Sequence, residues 1–447
     1  MRKIFFFSGI GFWIGFSLLQ ILISFNLKFT AWPEMLAYPY LLKNGYRLYT
    51  DIINPYPPLL PVILMELGQW WGTTVGMLRL VTLSVILISD LSFWWLSRKY
   101  FTRFVSFILV VIFSWLQWVF DANGLWFDLV VVPFAIWAFA YFYEFRKAQK
   151  IRNILAAALL LGLGFIVKQT TIWWVGLIFL YLMSQKKYQT GIFFLLVVSL
   201  PYFVLLLFFP VRPLIFWTLT YPFFIASRMP GYVLLPSFKQ LGLLVILLLP
   251  TVWLLRKKET RFLSWWTLSG LGFGYPRFDF FHLQAMLPFL ILGAGLVCTS
   301  LKKMRWLAVI YIIFILGLTI KFLSHNWQKP VRFFDRQTQV TARKLSQKIP
   351  VEETVFFYNT PAQYFVLADL LPSKPWADTF PWYLEVVGMQ KTINKSLTAV
   401  NYVVISPPIP GDKYALGAYQ PQEITAYVNQ NFQLRDEVEA IQILMRK

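Results

Sequence analysis

The segment YPRFDFFH, residues 275 to 282, sets a guanidinium (Arg277), a carboxylate (Asp279) and an imidazole (His282) close together in a chain that is 58% hydrophobic. If the segment is extended, Tyr275, Arg277, Asp279 and Phe281 share one face, and cation and acid point into the same cavity. If it is helical near its end, Asp279 and His282 meet at i, i+3. The Arg277 fork can grip an anion through two parallel N–H groups. The same residues also read as an interfacial anchor, with Arg and Tyr at headgroup level and Asp279 pairing Arg277.

The stretch AWPEMLAYPYLLKNGYRLYTDIINPYPPLL, residues 31 to 60, holds a second concentration of reactive groups. Thr30 and Pro33 can open a short helix that Asn44-Gly45 closes, which places Glu34 in its first turn. There Glu34 either complements the helix dipole or acts as a base. Asp51 precedes Tyr56-Pro57-Pro58 and reads equally as a turn residue. A third polar point is Lys168-Gln169, inside an apolar run, where the lysine either snorkels or binds an anion.

These groups need elements to hold them. A mean hydropathy of +0.59 with 14% charged residues excludes an ordinary soluble domain. Apolar stretches long enough to cross roughly 30 Å of hydrocarbon recur from residue 4 to about 322, unlike the short alternating segments of a β-barrel. The net charge of +21 is gathered in short clusters between them: Arg2-Lys3, Arg98-Lys99 with Arg103, Arg146 to Arg152, Lys186-Lys187, Arg256 to Arg261 and Lys302 to Arg305. This is the pattern of a positive-inside topology, not of nucleic-acid binding.

With all clusters cytoplasmic, an even number of spans separates each neighbouring pair. Residues 153 to 184 would measure roughly 48 Å as one helix, so they form a hairpin whose tip, Lys168-Gln169, lands at the outer surface. By the same parity, residues 56 to 72 lie along the outer face as an amphipathic element. Eleven spans result, near 4–26, 78–97, 104–120, 127–143, 153–167, 170–184, 190–209, 239–255, 262–274, 283–300 and 306–322. The N-terminus is cytoplasmic and the C-terminus outside. The transmembrane domain is residues 1–326, with its first outer loop at 27–77. Residues 327–447 form a small extracytoplasmic α/β domain, in which VFFYN, NYVVIS and IQILM read as strands.

On this threading Glu34, Asp51, Glu66, Asp121, Asp128 and Asp279 belong to the outer side, and an outward set of carboxylates beside the bilayer is a site. Asp90 lies within the second span, where a local polar contact accounts for it. Cys298 has no partner for a disulfide, and no metal site of the cysteine type is present. The N-terminal apolar run is too long for a signal peptide and reads as a retained helix. There is no P-loop or Rossmann fingerprint, so nucleotide-driven chemistry is not expected.

The first outer loop, YPRFDFFH and the VKQ at 167–169 together resemble the GT-C superfamily of integral-membrane glycosyltransferases, in the branch of protein O-mannosyltransferases and aminoarabinose transferases. The matching residues are Glu34, then Gly45-Tyr46-Arg47-Leu48-Tyr49-Thr50-Asp51, then Pro57-Pro58-Leu59. The chain departs at the first acid, where relatives usually carry Asp and this chain carries Pro33-Glu34. The resemblance implies a GT-C-like polytopic α-helical membrane protein that moves a monosaccharide from a polyprenyl-phosphate donor, with inversion, to a lipid, glycan or protein acceptor on the outer face. No cofactor is required, and a divalent metal is not indicated. That chemistry asks for a carboxylate to take the acceptor's proton and for cations to hold the departing phosphate. Glu34 and Asp51 are candidates for the first role, and Arg277 and Lys168 for the second. Asp279, His282, Tyr56 and Gln169 would orient sugar or acceptor. A transporter or flippase of lipid-linked saccharides is the rival, but it should gather its polar residues at the midplane, not at one face.

Overall fold

A computed structural model describes residues 2–300 and 305–447. Helices occupy all eleven places where spans are expected: α1 (Arg2–Asn26), α4 (Val75–Ser97), α5 (Arg103–Val119), α6 (Phe127–Ala148), α7 (Ile151–Phe165), α8 (Ile172–Ser184), α9 (Tyr188–Leu205), α11 (Phe238–Leu254), α12 (Arg261–Ser269), α13 (Leu287–Ser300) and α14 (Arg305–Asn326). Five described helical stretches are long and apolar enough to cross a membrane: Val75–Ser97, Phe127–Ala148, Tyr188–Leu205, Phe280–Thr299 and Val309–Asn326. The chain is thus a multi-pass membrane protein. Lys302 and Lys303 of the last basic cluster lie outside the described residues.

Local chemistry sets the helix starts. Thr74 and Thr102 cap α4 and α5 by accepting from the N–H groups of Met77 and Val105, and Ser237 with Gln240 forms a reciprocal capping box on α11. The centre of the bundle is aromatic: Trp174 of α8 stacks on Trp266 of α12 at 5.2 Å, and its indole N–H donates to the Trp266 carbonyl. Asp90 is fully buried and accepts from the Gln117 amide at 3.0 Å. Beside it, Gln20 accepts from the Trp118 indole and donates to Ser114. Asp90 is therefore part of a polar seam joining α4 to α5, and Gln20 joins α1 to α5.

Two short helices roof the bundle. The first, α2 (Pro33–Lys43), is almost wholly buried. The second, α3 (Leu59–Trp71), turns Leu60, Leu64 and Gly68 inward and leaves Trp70 and Trp71 82% and 61% exposed, as expected of an element lying along the membrane face. Beyond α9, the short α10 (Val211–Ile215) leads into a wide π-helix over Phe216–Ile225, between the spans expected near 190–209 and 239–255.

Residues past α14 build five helices, α15 (Arg336–Lys348), α16 (Gln363–Ala368), α17 (Pro381–Leu384), α18 (Met389–Leu397) and α19 (Gln422–Asn431), around one sheet. Its strands are β1 (Thr354–Tyr358), β2 (Leu371–Pro372), β3 (Tyr402–Ile405), β4 (Phe432–Val438) and β5 (Ile441–Arg446), in the order β2-β1-β3-β5-β4. The β1, β2 and β3 ladders are parallel, and β5 pairs antiparallel with β3 and β4. The three expected strands are β1, β3 and β5. The sheet lies against the roof: the Tyr46 hydroxyl donates to the Pro372 carbonyl, and the Tyr40 hydroxyl donates to Asp369 at 3.0 Å. One hydrophobic core runs from the bundle through α2 into β1 and Trp376.

Candidate active site

Asp128, in the first turn of α6, Lys168, between α7 and α8, and His282 form a buried triad. Lys168 Nζ lies 2.5 Å from Asp128 Oδ2, and His282 Nδ1 is 2.9 Å from the same oxygen and 3.0 Å from the lysine. Lys168 also sits 6.0 Å from the centre of the Tyr56 ring. The hairpin tip expected at the outer surface is instead covered, with Lys168 and Gln169 only 3% and 4% exposed. The cover is the strap Pro55 to Leu59: the Gln169 amide donates to the Pro55 carbonyl at 3.0 Å, and Leu59 N–H bonds the Ile166 carbonyl. The strap is held by Asn54, whose side chain bonds both the N–H and the carbonyl of Tyr56.

YPRFDFFH combines both of its sequence-derived conformations. It is extended through Asp279, whose side chain caps the following turn by accepting from Phe280 N–H at 2.6 Å, and 3-10 helical from Phe280 to Met286. Among the described residues Arg277 and Asp279 form no ion pair. Arg277 donates to the carbonyls of Gly231 and Tyr232, each at 3.2 Å, and lies 4.7 Å from the Trp382 ring of the C-terminal domain. Asp279 faces Asp121 instead, and adds to the burial that raises the Asp121 carboxyl to about 6. The expected meeting of Asp279 and His282 includes a backbone bond, His282 N–H to the Asp279 carbonyl at 3.2 Å.

Glu34 lies one turn before Tyr38 on α2. Both Glu34 and Asp378, from the loop between β2 and α17, keep a little surface, yet both are deeply enclosed: they line an interior recess. One Glu34 carboxylate oxygen is fully covered and has no partner. Burial raises the Glu34 carboxyl from 4.5 to about 7. Burial first, then the negative charge of Glu34, pushes Asp378 well above the ordinary carboxylate range. Tyr38, Tyr56 and Tyr383 share the recess; burial first, then Tyr232, Asp128 and Glu34, raises the Tyr56 hydroxyl, and Arg277 opposes the rise. The Tyr56 ring stacks on Phe127 at 4.2 Å.

Asp51 stands apart from this recess. It pairs with Arg47 at 3.5 Å and Lys374 at 3.4 Å, and its carbonyl accepts from Trp376 N–H, so it joins the segment between α2 and α3 to the C-terminal domain. Glu34, Tyr56 and Arg277 are brought to one region, with Lys168, Gln169 and His282 beneath Tyr56; Asp51 lies apart with Arg47 and Lys374, and Asp279 faces Asp121. Sequence reasoning missed Asp378, Tyr38, Tyr232 and Tyr383. The signal available for Asp378 was its setting in KPWADTFPWY, an acid ringed by aromatics inside an otherwise polar domain. Among the described residues no three His, Cys, Asp or Glu side chains come together to hold a metal.

No protein-family model matches the chain, and no curated protein matches it by sequence. Solved structures do. The ArnT of Cupriavidus metallidurans bound to undecaprenyl phosphate superposes with a TM-score of 0.63 at 11% identity, covering 98% of each chain. The archaeal oligosaccharyltransferase AglB of Archaeoglobus fulgidus, in complex with an inhibitory peptide and a dolichol-phosphate, superposes with a TM-score of 0.53 at 12% identity, covering 96% of this chain and 74% of that one. At these identities the likeness is one of architecture. From helix α2 to the C-terminal sheet, this chain has the fold of these structures.

Proposed function

We propose that the chain is a membrane glycosyltransferase that moves one sugar from a polyprenyl-phosphate donor to an acceptor on the outer face of the membrane, with inversion at the anomeric carbon. The observation that carries this reading is the enclosed Glu34 carboxyl, unpaired on one oxygen and raised to about 7, in the same recess region as Arg277. A base with that affinity for protons is matched to neutral pH. Glu34 takes the proton of the acceptor hydroxyl or amine, whose lone pair attacks the anomeric carbon. The carbon–oxygen bond to phosphate breaks, and polyprenyl phosphate leaves with its electrons.

Arg277 takes the phosphate. Its Nη1 is occupied by two carbonyls, and the rest of the fork faces the growing charge. Lys168, neutralised by Asp128, supports the floor and acts on the phosphate only at a distance. Tyr56, between them, orients the sugar, with His282 and Gln169 holding its strap and floor in place. Asp51 ties the C-terminal domain to the segment between α2 and α3, and Asp279 caps the turn that carries His282. The short basic clusters between apolar segments support an N-terminus in the cytoplasm and a C-terminal domain outside. The solved relatives' polyprenyl phosphates are consistent with such a donor. The test is to give purified protein a panel of labelled polyprenyl-phosphate sugars with and without Glu34→Gln. Transfer by the native protein and none by the variant is the expected result; no transfer from any donor would sink the reading.

A further inference from the structure

We propose that Trp382, on α17 of the C-terminal domain, is a positioning residue for Arg277: its ring braces the guanidinium so that the Nε–Nη2 edge is presented to the donor phosphate as a fixed fork. This rests on the reading of Arg277 as the phosphate ligand. The guanidinium carbon of Arg277 lies over the Trp382 ring, 4.7 Å from its centre, and Nη1 donates to the carbonyls of Gly231 and Tyr232, each at 3.2 Å. A planar cation tied through one nitrogen and braced by a ring is held in one orientation. Among the described residues Nε and Nη2 make no hydrogen bond and Arg277 joins no ion pair, so the edge that can take two phosphate oxygens in parallel is left open. Lys168 is already matched by Asp128, and the precision of the Arg277 fork therefore bears directly on phosphate affinity.

The two halves of this mount come from different parts of the chain. The membrane part supplies the backbone: Leu234 N–H bonds the Pro276 carbonyl at 3.2 Å and Phe278 N–H bonds the Leu234 carbonyl at 2.7 Å, which staples the loop carrying Gly231 and Tyr232 to both sides of Arg277. That staple fixes the root of the arginine but leaves a long, rotamer-rich side chain to be ordered. The C-terminal domain supplies the ring. Trp382 is buried, its indole meets Tyr232 edge-on at 5.8 Å and Phe380 at 4.7 Å, and its carbonyl accepts from the Tyr221 hydroxyl at 2.7 Å. Tyr221 is fully buried on the π-helix over Phe216–Ile225, a widened form of helix that recurs at functional sites. The two parts meet here without slack: Gly231 has a φ of +69°, and a Cβ on it would fall 2.7 Å from the Tyr414 carbonyl oxygen. The C-terminal domain thus sets the affinity for phosphate through Arg277, and the fork is complete only when that domain is docked.

The test is a double-mutant cycle on the purified full-length protein, read as equilibrium binding of undecaprenyl phosphate. Trp382→Leu should weaken binding about tenfold, and Trp382→Phe, which keeps a ring, by no more than about threefold. In an Arg277→Ala background Trp382→Leu should weaken binding by less than about twofold, because the group it positions is gone. If Trp382→Leu does not fold, Trp382→Met takes its place in the cycle. Tyr221→Phe, which frees the Trp382 carbonyl and leaves both the ring and Arg277 in place, should weaken binding about threefold, and only while Arg277 is present. Equal losses from Trp382→Leu with and without Arg277, or no loss with Arg277 present, would overturn the positioning role and leave Arg277 as the phosphate ligand. Unchanged binding in Arg277→Ala would remove the phosphate reading itself, and the positioning role with it.

Discussion

Lys168 Nζ and Asp128 Oδ2 lie 2.5 Å apart with side chains 4% and 0% exposed, so the cation that the sequence offers for an anionic ligand is already matched by an acid of the protein. A buried pair of this kind contributes little net stability, but removing one partner leaves an uncompensated charge. Lys168→Met should cost about 3 to 5 kcal/mol, read as a fall in melting temperature of the purified protein. Lys168→Met with Asp128→Asn should recover a large part of that loss. If both variants melt alike and the single variant loses only donor affinity, Lys168 is a phosphate ligand and not a support.

Burial of the hairpin tip gives a labelling prediction. In a Cys298→Ser background, a cysteine at Gln169 should resist an impermeant thiol reagent in intact cells, because the Pro55–Leu59 strap covers it. A cysteine at Val387, which is 99% exposed on the C-terminal domain, should react. Protection of Val387 in intact cells together with labelling after lysis would place the domain in the cytoplasm and reverse the topology.

The membrane helices were legible because hydrocarbon thickness fixes their length and lysine and arginine clusters fix their parity. The sheet was legible in its apolar members. It was not in β4, FQLRDEV, an edge strand whose burial is confined to Phe432 and Val438 and whose charged residues read as loop. The site was half legible. Glu34 and Arg277 sit in segments whose composition betrays them, whereas Asp378 joins the recess only through the docking of a domain more than 300 residues away, a relationship no local pattern carries. The burial of the Lys168 tip was not legible because a helix-length argument has no knowledge of a strap folded over it.

Arg277 ties Gly231 and Tyr232 to Trp382 through a flat, forked cation. Lysine keeps the charge but loses the fork and much of the stacking. Donor affinity should fall about 10-fold in Arg277→Lys and about 100-fold in Arg277→Ala, measured by binding of a polyprenyl-phosphate sugar to purified protein. Equal affinity in all three forms would reduce Arg277 to an interfacial anchor.

The raised Glu34 carboxyl makes a stability prediction with a definite sign. Its proton affinity is about 7 in the folded protein against an ordinary 4.5, so the folded state binds the proton more tightly. Its effect is absent below about pH 4.5 and grows as a penalty until about pH 7. Between those values the native protein should therefore melt at lower temperature as pH rises. Glu34→Gln, which carries no charge at any pH, should flatten that slope and be the more stable form at pH 8 by roughly 1 to 3 kcal/mol. A steeper slope in the variant would contradict the enclosure of Glu34.

The same substitution separates the two meanings of Glu34 at the head of α2. If the carboxylate only complements the helix dipole, Glu34→Gln loses a few tenths of a kcal/mol and turnover by the folded protein continues. If it is the base, glutamine keeps the size and most of the hydrogen bonding but cannot take the acceptor's proton. Turnover should then fall by about 10² to 10⁴ while donor binding survives. The enclosed, unpaired carboxylate oxygen favours the second outcome, since a dipole contact needs no such isolation from solvent. Measuring turnover, donor affinity and melting temperature on one preparation decides the matter. Near-normal turnover in Glu34→Gln together with loss of turnover in Asp51→Asn would pass the base to Asp51, and its pairing with Arg47 and Lys374 would then have to break when acceptor binds.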